Sequence, residues 1–308
     1  IMPSDVIEHI SELKSQGAKI IKGDNIKAME QAAKPELMRK NLGLKMIRRA
    51  NSIGHHYFIA NLTSKDIASS VALAVNEKHG IWYNPMTGEY HEATIGDKGI
   101  QLNLKSGESR ILITSNKPVN EWKLGSKVKV NEKEAIAAAD SKTIDLTENA
   151  WKLSFTEDAP KVGETFNLKG VKSWEGLSEK AKVMMGTGVY ETTIKLSKDD
   201  AKKQWTIDLG DVRESARVYV NNKYIGCAWA VPYILNCKDA LNKGKNTIRI
   251  EVTNLPANRI AEMDRQGVKW RKMKDINVVD INYKKTTYEN WTPVSSGLNS
   301  TVKLVEIK

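Results

Sequence analysis

The feature that most constrains this chain is residues 247–252, where Ile248, Ile250 and Val252 alternate with Thr247, Arg249 and Glu251. A period of two places the three aliphatics on one face of a strand, so this run buries one face and leaves the other wet. The same pattern returns along most of the sequence. Short apolar runs at 57–60, 81–83, 100–104 and 110–113, and again at 190–196, 205–209, 216–220, 224–226 and 302–304, are separated by turn clusters such as 84–88 and 105–108. Asn221-Asn222 joins two of these runs, and because asparagine tolerates positive φ, 218–225 reads as a hairpin with a two-residue loop. Many short strands with turn signals between them and few helical stretches point to antiparallel β architecture, a sandwich above all.

The ends of the pattern are less regular. Ile7, Ile10 and Leu13 sit at helical spacing behind Ser4-Asp5, Gly17 stops the helix, and 18–21 reads as a short strand. Such a half βα unit cannot cover its own faces without neighbouring strands, so residues 1–23 read as the remnant of a larger fold cut by truncation or cleavage. A polar, helix-compatible stretch follows from 22 to 42. From 122 to 150 the chain reads as a connection with an irregular or helical turn around 135–139. The expected division is therefore 1–46, an α/β remnant and linker; 47–118, an antiparallel β domain; and 119–308, a β-sandwich.

Lys and Arg outnumber Asp and Glu by 48 to 37, a net charge of +11, which favours acidic partners. The charges are interspersed, and even the densest basic stretch, Arg265, Lys269, Arg271, Lys272 and Lys274, has no nucleic-acid motif beside it, so nucleic acid is not the expected partner. No apolar run reaches the length of a membrane-spanning helix. The cysteines, Cys227 and Cys237, have neither a framework's number nor a metal site's spacing, and they read as buried thiols with a single bridge left open.

Glycoside cleavage needs two facing carboxyl groups. Among Glu89, Glu92 and Glu289 none combines a strand-end position with a barrel that would bring a pair together; Glu214 and Glu289, the latter beside Trp291, are the acids around which a hidden site would lie. His55 and His56 are adjacent on a strand and point to opposite faces, so they cannot chelate one ion. Asp199, Asp200, Asp208 and Asp211 near strand ends leave room for a structural calcium ion, without ligand spacing to support it. Sugar stacking on aromatic rings is the chemistry best supplied: Trp229 and Tyr233 flank the hairpin, with Arg213, Glu214 and Asn254 as polar partners and Trp291 near the end of the chain. The same residues suit a domain interface.

Residues 211–226 (DVRESARVYVNNKYIG) and 241–254 (LNKGKNTIRIEVTN) resemble the galactose-binding-like jelly roll of β-galactosidase-type enzymes. In that pattern Gly226 relieves crowding beside the hairpin, and Gly244 with Asn246 turns the chain into a core strand. Flanking segments 151–155 (WKLSF), 173–174, 186–193 (GTGVYETT) and 291–298 (WTPVSSGL) are similar to family 106 of the glycoside hydrolases, the α-L-rhamnosidases. Upstream, 56–62 (HYFIANL) and 82–88 (WYNPMTG) resemble the β unit those enzymes place before the jelly roll. The sequence departs from the pattern at Asn222, where glycine is usual, and at Asn299-Ser300, where Gly-Pro is more frequent. The resemblance implies a mainly β, non-catalytic C-terminal region of a rhamnosidase-like hydrolase of a Gram-negative bacterium, periplasmic or at the cell surface. It also implies an upstream catalytic barrel as partner, the catalytic acids there, no cofactor, and carbohydrate as a further partner. A stand-alone carbohydrate-binding module is the alternative.

Overall fold

The computed structural model describes residues 3–21, 29–30, 33–86, 88–122, 141–272, 282 and 286–307, which fall into two units, Ile1–Lys129 and Val130–Lys308. The expected turn at 135–139 lies outside the described residues.

The first unit opens with α1 (Ser4–Ser15), whose side chains include no buried residue; Gly17 at φ +88° ends it, as the sequence indicates. Residues 18–21 are not a strand, contrary to expectation. A strand exists only by hydrogen-bonding to a neighbour, and no described strand pairs with this segment. Helix α2 (Leu37–Leu42) sets Met38 into the core and ends on Gly43 in the left-handed region. Eight strands follow: β1 (Lys45–Ala50), β2 (Gly54–Ala60), β3 (Ile67–Val71), β4 (His79–Tyr83), β5 (Tyr90–Glu92), β6 (Ile95–Gly96), β7 (Gly99–Leu104) and β8 (Ser109–Ser115). They form an antiparallel sheet β1-β2-β8-β4-β5 and a smaller one, β3-β7-β6. Tyr57, Ile59, Trp82 and Leu112 of the larger sheet pack with Val71, Ile100, Leu102 and Leu104 of the smaller in one apolar cluster, while Gln101 and Asn103 between them face water. Each fully buried Leu or Ile contributes about 1.5–3 kcal/mol, so period-two patterning alone gathers this core. Asn61 is also buried: its amide donates to the carbonyls of Lys65 and Leu104 and its oxygen accepts from Thr63 N, so no polar atom of that side chain is stranded.

The second unit contains β9 (Thr143–Asp145), β10 (Ala150–Ala159), β11 (Phe166–Lys169), α3 (Glu179–Val183), β12 (Met185–Leu196), β13 (Gln204–Asp208), β14 (Val212–Arg213), β15 (Ser215–Val220), β16 (Lys223–Ala228), β17 (Ile234–Asn236), β18 (Gly244–Thr253), α4 (Ala257–Arg265), β19 (Gly297–Leu298) and β20 (Lys303–Ile307). A six-stranded sheet β11-β10-β12-β18-β15-β16 faces a four-stranded one, β17-β13-β20-β9, across a common core that includes Trp151, Tyr190, Trp205, Ile207, Ile250 and Leu304. This is the β-sandwich that the alternation indicates, and Ile248, Ile250 and Val252 are all completely buried. Strand β9 falls inside what the sequence suggests is a plain connection; three residues, of which only Ile144 is apolar, carry too little pattern to be seen without their partner β20.

Asn221 and Asn222 adopt φ of 52° and 64°, and Val220 pairs with Lys223, the two-residue hairpin expected. Gly226 lies opposite Val218, where a Cβ would come within 3.0 Å of Leu235 Cδ2. Asn246, fully buried, donates to the carbonyls of Asn242 and Gly244 and accepts from Asn242 N and from the Asn221 amide. Four bonds at 2.7–3.0 Å lock the turn before β18 to the hairpin tip.

Candidate functional site

The loop between β16 and β17 carries Trp229, whose side chain is 60% exposed, and Tyr233, which is 9% exposed and belongs to the core. Of these two, Trp229 alone offers a ring face to a ligand. Beneath the loop, Arg213 grips Asp211 with two bonds, Nε to Oδ1 at 2.7 Å and a terminal nitrogen to Oδ2 at 3.0 Å. The bond to Asp211 raises the guanidinium's affinity for its proton. Burial raises the Tyr233 phenol, and the nearby Glu214 and Asp211 carboxylates raise it further. Arg213, Glu214 and Tyr233 are thus brought together, and with them Asp211, which the sequence suggests as a calcium ligand and the structure makes the partner of Arg213. The signal was available in the two-residue spacing Asp211-x-Arg213, which an extended chain places on one side.

Asn254 has a different role. Its amide donates to Met184 O at 3.0 Å and Ser296 Oγ at 3.1 Å, and its oxygen accepts from Gly186 N at 3.0 Å, so both functional atoms are held by the fold. Trp291 is 49% exposed and lies 4.3 Å from the Tyr288 ring, in an aromatic group of its own.

The recognisable motif segments converge, but on the core. Trp174 Nε1 donates to Tyr190 Oη at 2.7 Å, Tyr190 donates to Lys172 O at 3.2 Å, and Leu298 N donates to the same hydroxyl at 3.3 Å. Trp151 and Phe155 pack edge-on against Tyr190 and Trp174. Gly297, at φ +92°, passes so close that a Cβ would sit 2.3 Å from Tyr190 Oη and 2.4 Å from Trp174 Nε1. These spacings therefore specify packing, not chemistry.

Asp145 and Asp200 are both made more acidic, by hydrogen bonds from Thr147 and from Lys142 respectively, the reverse of what a proton donor needs. Asp199, Asp200, Asp208 and Asp211 are not gathered: they pair with Lys202, Lys142, Lys303 and Arg213, and among the described residues no three metal-ligating side chains meet. His55 bonds Glu77 while His56 bonds Asn51, on separate faces of β2. Both cysteines are free thiols, and burial lifts Cys237 to about 12. Among the described residues no helix is long and apolar enough to cross a membrane, which says nothing of β-barrels.

Residues 177–296 match the family model described as the glycosyl hydrolase 2 galactose-binding domain-like family. The fold is accordingly mainly β with a galactose-binding-like domain, and the match is to the family 2 type, not specifically to family 106. A Formosa agariphila protein whose name assigns it provisionally to the β-glucuronidases is 27% identical over 232 residues, which is 67% of this chain and 20% of that protein. The solved rhamnosidase of Novosphingobium sp. PP1Y superposes on 85% of this chain with a TM-score of 0.58 at 20% identity, using 24% of its own length, and so shares the fold. The chain spans about a fifth to a quarter of the length of these relatives.

Proposed function

We propose that this chain is a non-catalytic accessory region of a larger glycosidase of the α-L-rhamnosidase-like, family 106 kind, acting on rhamnose of plant polysaccharides or glycosides. Its two β units support a catalytic barrel contributed by another part of the enzyme, and the Trp229 loop contacts that barrel or the sugar. The observation that carries the reading is the jelly roll itself: its motif residues are engaged in packing, and its carboxylates are paired or dispersed. A periplasmic or cell-surface location in a Gram-negative bacterium goes with this role, since polymeric glycans are met outside the cytoplasm. The 60% exposure of Trp229 favours one second reading, a stand-alone carbohydrate-binding module.

Incubating the chain with aryl α-L-rhamnoside and aryl β-D-glucuronide should give no turnover above buffer. Turnover that vanishes in a Glu214→Gln or Glu289→Gln variant would overturn the proposal. Trp229→Ala should weaken association with the barrel; unchanged association with lost sugar binding would promote the module reading.

A further inference from the structure

Away from the Trp229 loop, α3 and α4 enclose an open cleft of about 460 Å³. Lys180, Lys182, Arg259 and Arg265 line it, against the two carboxylates Glu179 and Glu262. Both acids have partners: Glu262 is bonded by Arg265 and by the Gln266 amide at 2.7 Å, and Glu179 lies 3.8 Å from Lys182 Nζ. Among the described residues Lys180 and Arg259 make no ion pair, so the cleft keeps two cations for an incoming anion.

The cleft residue Arg265 also reaches an aromatic group. Arg265 Nε donates to Glu289 O at 3.0 Å, fixing the segment that carries Tyr288 and Trp291. The neighbouring helix residue Asp264 accepts from Trp270 Nε1 at 2.7 Å and from Tyr288 N at 2.8 Å. Trp270, Tyr288 and Trp291 thus form one group, with ring centroids 6.3 and 4.3 Å apart and the Arg271 guanidinium just over 5 Å from the first two rings. One helix, α4, is wall to a cationic cleft and anchor to a ring shelf whose outer member, Trp291, is half exposed.

Guanidinium pairs with carboxylate in a planar fork, and the apolar face of a pyranose stacks on an aromatic ring. We infer that this surface binds an acidic oligosaccharide, seating a uronate carboxylate on Arg259 and Lys180 and a sugar ring further along the chain on Trp291. The choice of a saccharide rests on the carbohydrate-related function proposed above, whereas the cleft and shelf stand on their own geometry.

The test is calorimetric titration of the whole chain with α-1,4-linked trigalacturonic acid and with its methyl ester. The acid should bind, the ester about tenfold more weakly. Arg259→Gln should abolish that preference, while Lys243→Gln, the same charge change at an exposed lysine elsewhere, should preserve it. Trp291→Ala should weaken both ligands about fivefold without altering the far-ultraviolet spectrum. Equal affinity for acid and ester, an identical loss in the Lys243→Gln control, unaltered affinity in Trp291→Ala, or no binding at millimolar ligand would each overturn the inference. The aryl glycoside assay reads the accessory role separately, so failure of one is distinguishable from failure of the other.

Discussion

Replacing Tyr190 with phenylalanine removes one oxygen and leaves the ring, and with it the edge-on contact to Trp151, in place. The cost can be worked out bond by bond. Trp174 and Leu298 are both 0% exposed, so the indole N–H and the Leu298 N–H that point at the hydroxyl have no water to turn to. Leaving a buried donor unpaired costs about 1–3 kcal/mol. The 2.7 Å indole bond belongs near the top of that range and the 3.3 Å backbone bond near the bottom. Because the groups share one acceptor their costs do not simply add, and a total of about 2–4 kcal/mol follows. For a unit of this size that corresponds to roughly 5–15 °C in melting temperature. The assay is thermal unfolding of wild type and Tyr190→Phe followed by circular dichroism and by calorimetry, which separates the transitions of the two units. A shift under about 2 °C in the jelly-roll transition would refute the reasoning, because it would mean that water or a shifted backbone replaces the hydroxyl.

Gly297→Ala should be at least as damaging, about 2–5 kcal/mol by urea titration, since it combines a positive φ with a Cβ driven into Tyr190 and Trp174. Cys237, buried and raised to about 12, should resist iodoacetamide at pH 8 until the unit unfolds; rapid labelling of this residue by mass spectrometry would contradict its burial. Asp145 and Asp200 hold fewer protons in the folded chain than in the unfolded one at the same acidity. Their contribution is therefore present above the ordinary carboxyl range of about 4 and lost as pH falls through and below it, so Asp200→Asn should flatten the acid limb of a stability–pH curve.

The sandwich was readable because β12, β13, β15 and β18 carry their own signal in alternation and turn chemistry. Asn221 and Asn222 show this best: their backbone angles follow from residue type alone. Residues 18–21 show the opposite case, since apolar content suits a strand but a strand is made by its neighbour. The candidate site was legible only where sequence proximity implies spatial proximity, as for Arg213, Glu214 and the Trp229 loop. Asn254 looked like a ligand contact because its partners, Met184, Gly186 and Ser296, lie about 40 to 70 positions away along the chain. Trp270, Tyr288 and Trp291 are not legible as a group because Trp270 stands 18 positions before Tyr288 and no motif in the sequence ties the two.

Strand β1 ends its sheet, and five of its six residues are exposed. An open edge invites another chain to add a strand, and here that invitation is answered by charge, with Lys45, Arg48 and Arg49 in a row of six. Arg48 is held by Glu36 at 2.6 Å, so two such edges approaching each other would bring four cations together, Lys45 and Arg49 of each, while Ile47 beside them, 60% exposed, would pull in the opposite direction. At about 1 M salt the screening length shrinks to roughly 3 Å and the repulsion fades, whereas the attraction of the apolar side chain persists. Concentrated salt is thus the condition under which self-association through this edge is expected, as light scattering at about 1 M salt would show.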